Sequence, residues 1–440
     1  MKKQIFKYTA VFALLIAKIS LFGFKYFPTL DDYIQYKAYS LYSKKYILFF
    51  VGTIFKRPAA AFFDLFICRI TGMYPALLII TAMLFFSAVI LKNTYKSIGV
   101  NLGRFFIIFV LFCPLNFEAA YWISASSRIV SGMFFCALSL IILARLKGKI
   151  RIFLFFFANL LSFLFYEQSL VFSFVTTCFF LYFKEKKLIF IPVFNLVLTA
   201  AYYVFLAPFD RFGERGEIGI KIIPHIKSLS EIFFSVLPKM ILKAPHIALS
   251  AVIFACFLPV FSKIPPPYSG IKKRSIIYAV LIMFLPFAPY VFLKNSYLSL
   301  RSTFFAVMAI GIILDNICFG RRTANVLCAL LLSVFIIGNA SELSQYRAVN
   351  MTDTKILKTV SLNISDNETY YLVGAKRMYV NINAPFAEHI LNITQADWSL
   401  TGALRAYTGN KNIKKVIPVE NDFEVPKNFK KIYIGKATAR

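Results

Sequence analysis

Long apolar runs separated by short polar segments make up most of this chain. Stretches of about 17 to 25 apolar residues are long enough to cross a bilayer as helices, and about eleven such runs follow one another. They lie at 8–27, 73–92, 104–122, 127–145, 152–168, 169–183, 188–207, 244–262, 275–293, 302–319 and 323–341. Because only helices and closed barrels satisfy their backbone polar groups in lipid, the pattern predicts an all-α polytopic membrane protein with about eleven transmembrane helices.

Basic residues between the apolar runs predict the orientation of the chain. Clusters of Lys and Arg mark cytoplasmic segments. These clusters are Lys2, Lys3, Lys7, Lys92, Lys96, residues 145–151, 184–187 and 272–274, Arg321 and Arg322. An odd number of spans with a cytoplasmic N-terminus places the C-terminus outside. We therefore expect a transmembrane domain over 1–341 and an extracytoplasmic domain over 342–440.

Two long segments and the C-terminal tail depart from the spanning pattern. Segments 28–72 and 208–243 mix apolar and charged residues, which predicts outer loops whose helices lie on the membrane surface. The tail alternates short β-prone runs with one possible helix near 385–409, which predicts a small α+β domain. The β-prone runs are TYYLVGAK (369–376), RMYVNIN (377–383), KKVIPV (414–419) and KKIYIG (430–435).

Composition narrows the classes of function. Hydrophobic residues make up 59% of the 440 residues, more than a soluble chain of this length can bury in one core. The net charge of +30 is spread in clusters between apolar runs, which argues for membrane lipids and against nucleic acid as the partner. The seven cysteines show no CxxC spacing and the three histidines are scattered, so neither a disulfide framework nor a His/Cys metal site is predicted. The Ile, Lys and Phe bias is typical of an AT-rich bacterial source, so we expect an inner or plasma membrane location.

The sequence LDDY, residues 30–33, follows the first apolar run and carries the most informative chemistry. Two adjacent carboxylates resist joint ionisation, and the raised pKa that results suits a general base. At the outer rim, Asp31 and Asp32 would meet an acceptor hydroxyl at the depth of a lipid-borne donor's head group. The alternative is that the pair caps the following helix or ends the span at the water boundary.

The architecture resembles the GT-C class of integral membrane glycosyltransferases. The likeness rests on an acidic pair after the first transmembrane helix, a long first outer loop, about eleven spans and an outer C-terminal domain. It implies that Asp31 and Asp32 are catalytic or bind a divalent cation such as Mg or Mn, and that the donor is a polyprenyl-phosphate sugar. The segments AAYWISASSR, FLFYEQSL and EHILNITQADWSLTGALR also look like those of bacterial members that modify surface polysaccharides, such as O-antigen.

Other polar residues are expected at the outer rim and are candidate substrate-binding groups. Glu118 suits a sugar hydroxyl or a metal and Arg128 suits a phosphate, unless the two simply pair with each other. A second set, Tyr166, Glu167 and Gln168, falls at a turn between two apolar helices, where a carboxylate indicates either a buried partner, a substrate contact or an ordinary solvated turn.

Lys294 and Arg301 flank the segment NSYLSL between two late spans. A fixed cation there suits the phosphate of an anionic lipid donor, and the fork-shaped guanidinium suits it best. The alternative is that both side chains extend to bilayer phosphates.

These features favour an inverting glycosyltransferase that transfers a sugar from a polyprenyl-phosphate donor to a glycan or lipid-linked acceptor on the extracytoplasmic face. Three alternatives remain, and one of them is a structural membrane protein without activity. A polysaccharide flippase or other transporter is expected to place charges along a path through the membrane midplane, whereas here the charges gather at the ends of spans. A polymerase or ligase of the O-antigen type is expected to use basic residues in a large later loop, a role that 208–243 leaves open.

Overall fold

The structure is a computed structural model of the chain. It describes residues 2–37, 41–206, 219–220, 222–242, 244–262, 272–292, 298–317, 319–375 and 391–434. The protein is an integral membrane protein with several apolar helices and a small region at its C-terminal end that contains strands.

The first part of the chain forms one long helix and then several short ones. They are α1 (Lys2–Ile19), α2 (Lys44–Ile47), α3 (Pro58–Phe63) and α4 (Arg69–Thr71), with turns of π-helix at Tyr33–Lys37, Leu48–Ile54 and Asp64–Cys68. The predicted outer loop 28–72 is therefore helical in short pieces.

The later apolar runs form the helices of the bundle. They are α5 (Met73–Lys96), α6 (Arg104–Phe112), α7 (Phe117–Tyr121), α8 (Ile123–Arg145), α9 (Gly148–Phe163), α10 (Glu167–Lys184), α11 (Phe190–Ala201), α12 (Ile222–Glu231), α13 (Leu237–Ile241), α14 (Ala244–Ser262), α15 (Lys273–Phe284), α16 (Ala288–Val291), α17 (Phe304–Asn316) and α18 (Arg321–Ser361). Short 3₁₀ turns at Pro114–Asn116, Lys186–Ile189, Leu285–Phe287 and Leu300–Thr303 and π turns at Tyr202–Leu206 and Ile232–Val236 join or extend them.

Fewer helices are long and apolar enough to span a membrane than the predicted eleven. Among the described residues, five pass by length and hydropathy, and up to seven do if two bent helix pairs each count as one span. The predicted spans at 8–27, 152–168, 169–183 and 302–319 are helices of only 13 to 18 residues. These four helices are too short or too polar at their ends to count among the candidate spans, so their crossing of the membrane stays a prediction.

One of the bent pairs is α6 with the 3₁₀ turn and α7, which meet at 47° at Pro114. Proline lacks the N–H that would continue the helix and so frees carbonyls of the last turn. Side chains satisfy these carbonyls: Asn116 Nδ2 donates to Phe109 O at 2.9 Å, and Lys18 Nζ donates to Leu111 O at 2.9 Å. The break is thus held inside protein, where irregular backbone is tolerated, and it redirects α7.

A glycine and a buried carboxylate of α17 hold the N-terminal end of α6 in place. A Cβ on Gly311 of α17 would lie 2.9 Å from Phe106 Cα, so the two helices touch backbone to backbone. Asp315 of α17 accepts hydrogen bonds from the backbone N–H groups of Gly103, Phe105 and Phe106 at 2.6 to 3.0 Å. Asp315 therefore caps the N-terminus of α6, where the first backbone N–H groups have no partner within the helix.

Helix α18 is much longer than a membrane is thick. Its 41 residues extend for about 60 Å, roughly twice the hydrocarbon thickness of a bilayer. The helix continues without interruption through the predicted boundary at 341–342, so its second half extends beyond the membrane and joins the C-terminal region.

In its described residues after α18, the C-terminal region forms a three-stranded sheet and the helix α19. The sheet contains β1 (Thr369–Val373), β2 (Lys415–Val419) and β3 (Lys430–Tyr433) in the order β2-β1-β3, with both pairs parallel, and α19 (Asp397–Thr408) packs on β2. Short 3₁₀ turns lie at Ile393–Gln395 and Asp422–Glu424. Three of the four predicted strands are confirmed, and RMYVNIN lies outside the described residues. The arrangement is α/β and not the predicted α+β, because parallel strands need a crossover such as α19.

The C-terminal region packs directly on LDDY and on the residues before and after it. Asn350 of α18 donates to Pro28 O at 3.0 Å and to the Tyr33 hydroxyl at 2.8 Å. Arg405 of α19 donates to the Tyr42 hydroxyl at 3.2 Å, and a Cβ on Gly402 would overlap Cγ1 of Ile34. LDDY and the C-terminal region therefore lie on the same side of the protein.

The contact at Gly402 gives a sharp test of this docking. Alanine in place of glycine inside a helix normally stabilises a protein by about 1 kcal/mol, but here we expect Gly402→Ala to lower the thermal unfolding temperature in detergent, because the new methyl overlaps Ile34. The double variant with Ile34→Ala should recover most of the loss. A single variant as stable as wild type would contradict the docked arrangement.

Candidate functional site

The carboxylate of Asp32 is fully buried and joins three parts of the chain. Its Oδ2 accepts hydrogen bonds from the Tyr26 hydroxyl at 2.5 Å and from Thr29 N at 3.2 Å, and its Oδ1 accepts one from Ser124 N at 3.0 Å. The Tyr26 hydroxyl in turn accepts from Ile123 N at 3.0 Å. Asp32 and Tyr26 therefore cap the N-terminus of α8, a helix more than ninety residues later in the chain.

Burial governs the electrostatics of this carboxylate. Desolvation raises the pKa of Asp32 to about 7, although the hydrogen bonds from Tyr26, Thr29 and Ser124 oppose the shift. The Tyr26 hydroxyl that donates to Asp32 is also buried. The carboxyl group of Asp32 therefore changes between its protonated and ionised forms near neutral pH.

Asp31 occupies a different environment from its neighbour. Its side chain is only partly buried, and its Oδ2 accepts a hydrogen bond from the Ser124 hydroxyl at 3.3 Å. The two carboxylates therefore point apart: Asp32 faces the protein interior and Asp31 lies at its surface. Only Asp31 of this pair is placed to meet a molecule that arrives from outside.

The backbone before the pair is strained. Leu30 has a φ of +40°, in the left-handed region that a leucine seldom adopts. Such a residue costs on the order of 1–3 kcal/mol and persists when the surrounding contacts enforce it. The buried Leu30 side chain and the bonds to Asp32 supply those contacts.

Trp122 joins the acidic pair to a cation from a late loop. The indole is fully buried and its Nε1 donates to Thr29 O at 3.4 Å, while the guanidinium of Arg301 lies 5.2 Å from its ring centroid. Glu118, on the redirected α7, is also fully buried and interacts electrostatically with Tyr346 of α18. Arg301 and Glu118 are thus brought to the same end of the bundle as LDDY.

Arg128 has a buried partner that its sequence neighbourhood does not indicate. Its guanidinium forms a bidentate pair with Asp64, at 2.9 Å to Oδ1 and 2.7 Å to Oδ2, and both side chains are at most 4% exposed. The Ser127 hydroxyl also accepts a hydrogen bond from Arg128. The pair ties the helical turn at Asp64–Cys68 to α8.

The turn at 166–168 forms a second polar group at the same end of the bundle. Glu167 accepts hydrogen bonds from Arg57 at 3.2 to 3.3 Å, and the Arg57 guanidinium lies 4.6 Å from the ring centroid of Tyr166. The Tyr166 and Tyr290 hydroxyls are 3.0 Å apart. Gln168 is buried and donates to Ser302 O, next to Arg301. Glu167 is 40% exposed and Arg57 is 27% exposed, so this ion pair is accessible from outside.

Two remaining predictions concern Lys294 and a divalent cation. Lys294 lies outside the described residues. Within the ranges that the structure describes, no group of three or more His, Cys, Asp or Glu side chains lies close enough to hold a metal. Asp32 already accepts three hydrogen bonds, and the binding of a divalent cation by Asp31 and Asp32 stays a prediction.

Several residues of the site have no local signal in the sequence. Tyr26, Asp64 and Ser124 acquire their roles through contacts with segments far away in the chain, which no spacing rule reports. Arg57 carries a weak signal, because a basic residue within an apolar stretch needs a partner.

The buried pair of Arg128 and Asp64 predicts a large stability effect. Removing one member leaves an uncompensated buried charge, so we expect Asp64→Ala to cost about 3–5 kcal/mol in the free energy of unfolding. Glu185→Ala, which breaks the more exposed pair of Glu185 with Arg151, is the matched control and should cost about 1 kcal/mol or less. Chemical unfolding in detergent measures both, and equal costs would contradict the assignment.

No protein-family model matches this chain, and no curated protein matches it at a significant level.

Proposed function

We propose that the protein is a membrane glycosyltransferase that moves a sugar from a polyprenyl-phosphate donor to a glycan or lipid-linked acceptor on the extracytoplasmic face. We also propose that the chain crosses the membrane about eleven times with its C-terminus outside, and that it belongs with the GT-C class that its sequence resembles. The observation that carries it is the surface carboxylate of Asp31, held beside the buried, capped carboxylate of Asp32.

The geometry supports a division of labour between the two carboxylates. Asp31 is the general base: it takes the proton of the acceptor hydroxyl as that oxygen attacks the anomeric carbon. Asp32 is a positioning residue that fixes the backbone of LDDY on α8 through Tyr26 and Ser124. The bond from the anomeric carbon to the phosphate oxygen breaks as the new glycosidic bond forms, which inverts the configuration.

The leaving phosphate requires a cation and no acid. Arg301 is the residue proposed to bind this phosphate. Its guanidinium lies over the ring of Trp122, and the neighbouring Ser302 O accepts a hydrogen bond from Gln168. Phosphate is already a competent leaving group, so the fixed charge and the bound geometry supply the catalysis. No step is assigned to a metal ion.

The distribution of buried charge favours an enzyme at the rim over a carrier. Asp32, Asp64 and Glu118 gather near the N-terminal ends of α7 and α8, whereas Asp315 lies at the opposite end of the bundle beside the N-terminus of α6. A carrier is expected to place such groups between these ends.

Substitutions of the acidic pair test the proposal. We expect Asp31→Asn to reduce sugar transfer from polyprenyl-phosphate donors by about 10²- to 10⁴-fold without loss of stability, because it removes a base from a surface position. Asp32→Asn should lower both activity and unfolding temperature. Asp422→Asn, at an exposed carboxylate of the C-terminal region, is the control and should behave as wild type. Full activity of Asp31→Asn at normal expression would refute the assignment of the base.

The raised pKa of Asp32 predicts a pH profile. Ionised Asp32 accepts three hydrogen bonds and protonated Asp32 cannot accept all of them, so transfer should rise between about pH 6 and pH 8, around the pKa of about 7. The Tyr26 hydrogen bond lowers that pKa, so Tyr26→Phe should move the midpoint to higher pH. A flat wild-type profile, or a shift to lower pH in Tyr26→Phe, would contradict the role of Asp32.

A further inference from the structure

An apolar groove lies between α9 and α11, at the end of the bundle opposite LDDY. The groove has a volume of about 460 Å³, within the usual range for ligand sites of ~300–1,000 Å³. Apart from Lys149, its lining is Ile152, Phe153, Phe156, Phe190, Ile191 and Phe194. Phe153, Phe190 and Phe194 are each more than half exposed.

The groove is open toward the lipid. The span that includes α11 is the least buried of the five candidate spans, with 22% of its window inside the protein. The ring of Phe156 on α9 and that of Phe194 on α11 have centroids 6.2 Å apart, so the two helices contribute neighbouring rings to the lining. From Lys149 to Phe156, α9 rises by about 10 Å, so the apolar lining extends from the mouth of the groove toward the middle of the membrane.

The mouth of the groove is strongly basic. Lys149 lies on its rim. The two segments beside the groove, 145–151 and 184–187, together carry seven Lys and Arg residues and one carboxylate. Glu185, that carboxylate, is engaged by Arg151 at 2.5 and 3.0 Å. The remaining six cations are Arg145, Lys147, Lys149, Lys184, Lys186 and Lys187, and all six are exposed.

We infer that this groove binds an anionic phospholipid of the bilayer, with an acyl chain along the phenylalanines and the head-group phosphate at Lys149. The charge of the mouth selects an anionic over a zwitterionic head group, because clustered Lys and Arg residues at a membrane surface attract anionic lipid. Helices α9 and α11 both begin at this end, so their dipoles also favour a negative charge there. The site is separate from the proposed catalytic end and does not depend on the proposed function.

The test uses the full chain in nanodiscs of phosphatidylcholine alone or of equal parts phosphatidylcholine and phosphatidylglycerol, with lipid retention measured by native mass spectrometry. We expect wild type to retain phosphatidylglycerol selectively and Lys149→Gln to lose this retention roughly fivefold. Phe153→Ala, at an exposed ring, should also lose retention while the protein stays folded.

Lys147→Gln removes the same charge from the same loop outside the groove and is the matched control. Retention in Lys147→Gln close to that of wild type supports a seated lipid. A loss equal to that in Lys149→Gln would show a diffuse surface attraction and overturn the site. Displacement of the lipid by inorganic phosphate alone would also overturn it, since the acyl chain would then contribute nothing.

Discussion

A single buried carboxylate organises the end of the bundle where LDDY lies. Asp32 accepts hydrogen bonds from its own turn, from Tyr26 and from the first turn of α8, so it fixes the end of the first helical segment onto a helix far away in the chain. The cost of burying its charge is reduced by these donors and by the N-terminus of α8. The strained backbone at Leu30 and the surface position of Asp31 both follow from this attachment.

Two other structural features bring the rest of the site to Asp32. The break at Pro114 redirects α7 and brings Glu118 and Trp122 to the same end of the bundle as LDDY. The second half of α18 extends out of the membrane and carries a small parallel sheet that packs on Ile34 and Tyr33. The C-terminal region therefore contacts the acidic segment directly, at the proposed catalytic end.

Run length and charge predicted a helical membrane protein with strands in its tail, because these properties depend on local composition. Among the described residues, up to seven of the eleven predicted spans are helices long and apolar enough to cross a membrane, and the others, α10 and α17 among them, stay predictions. The alternative that the acidic pair caps a helix was partly right, but the capped helix is α8 and not the following one. Long-range pairing of this kind, like that of Arg128 with Asp64, has no periodicity that a sequence can report.

The stereochemistry of transfer tests the central claim most directly. The purified protein is incubated with a panel of polyprenyl-phosphate hexoses and lipid-linked acceptors, and the anomeric configuration of the product is read by NMR. Direct displacement by a hydroxyl that Asp31 deprotonates predicts a product of inverted configuration, formed by wild type and not by Asp31→Asn. A product of retained configuration, or one that the variant forms equally well, would contradict the account.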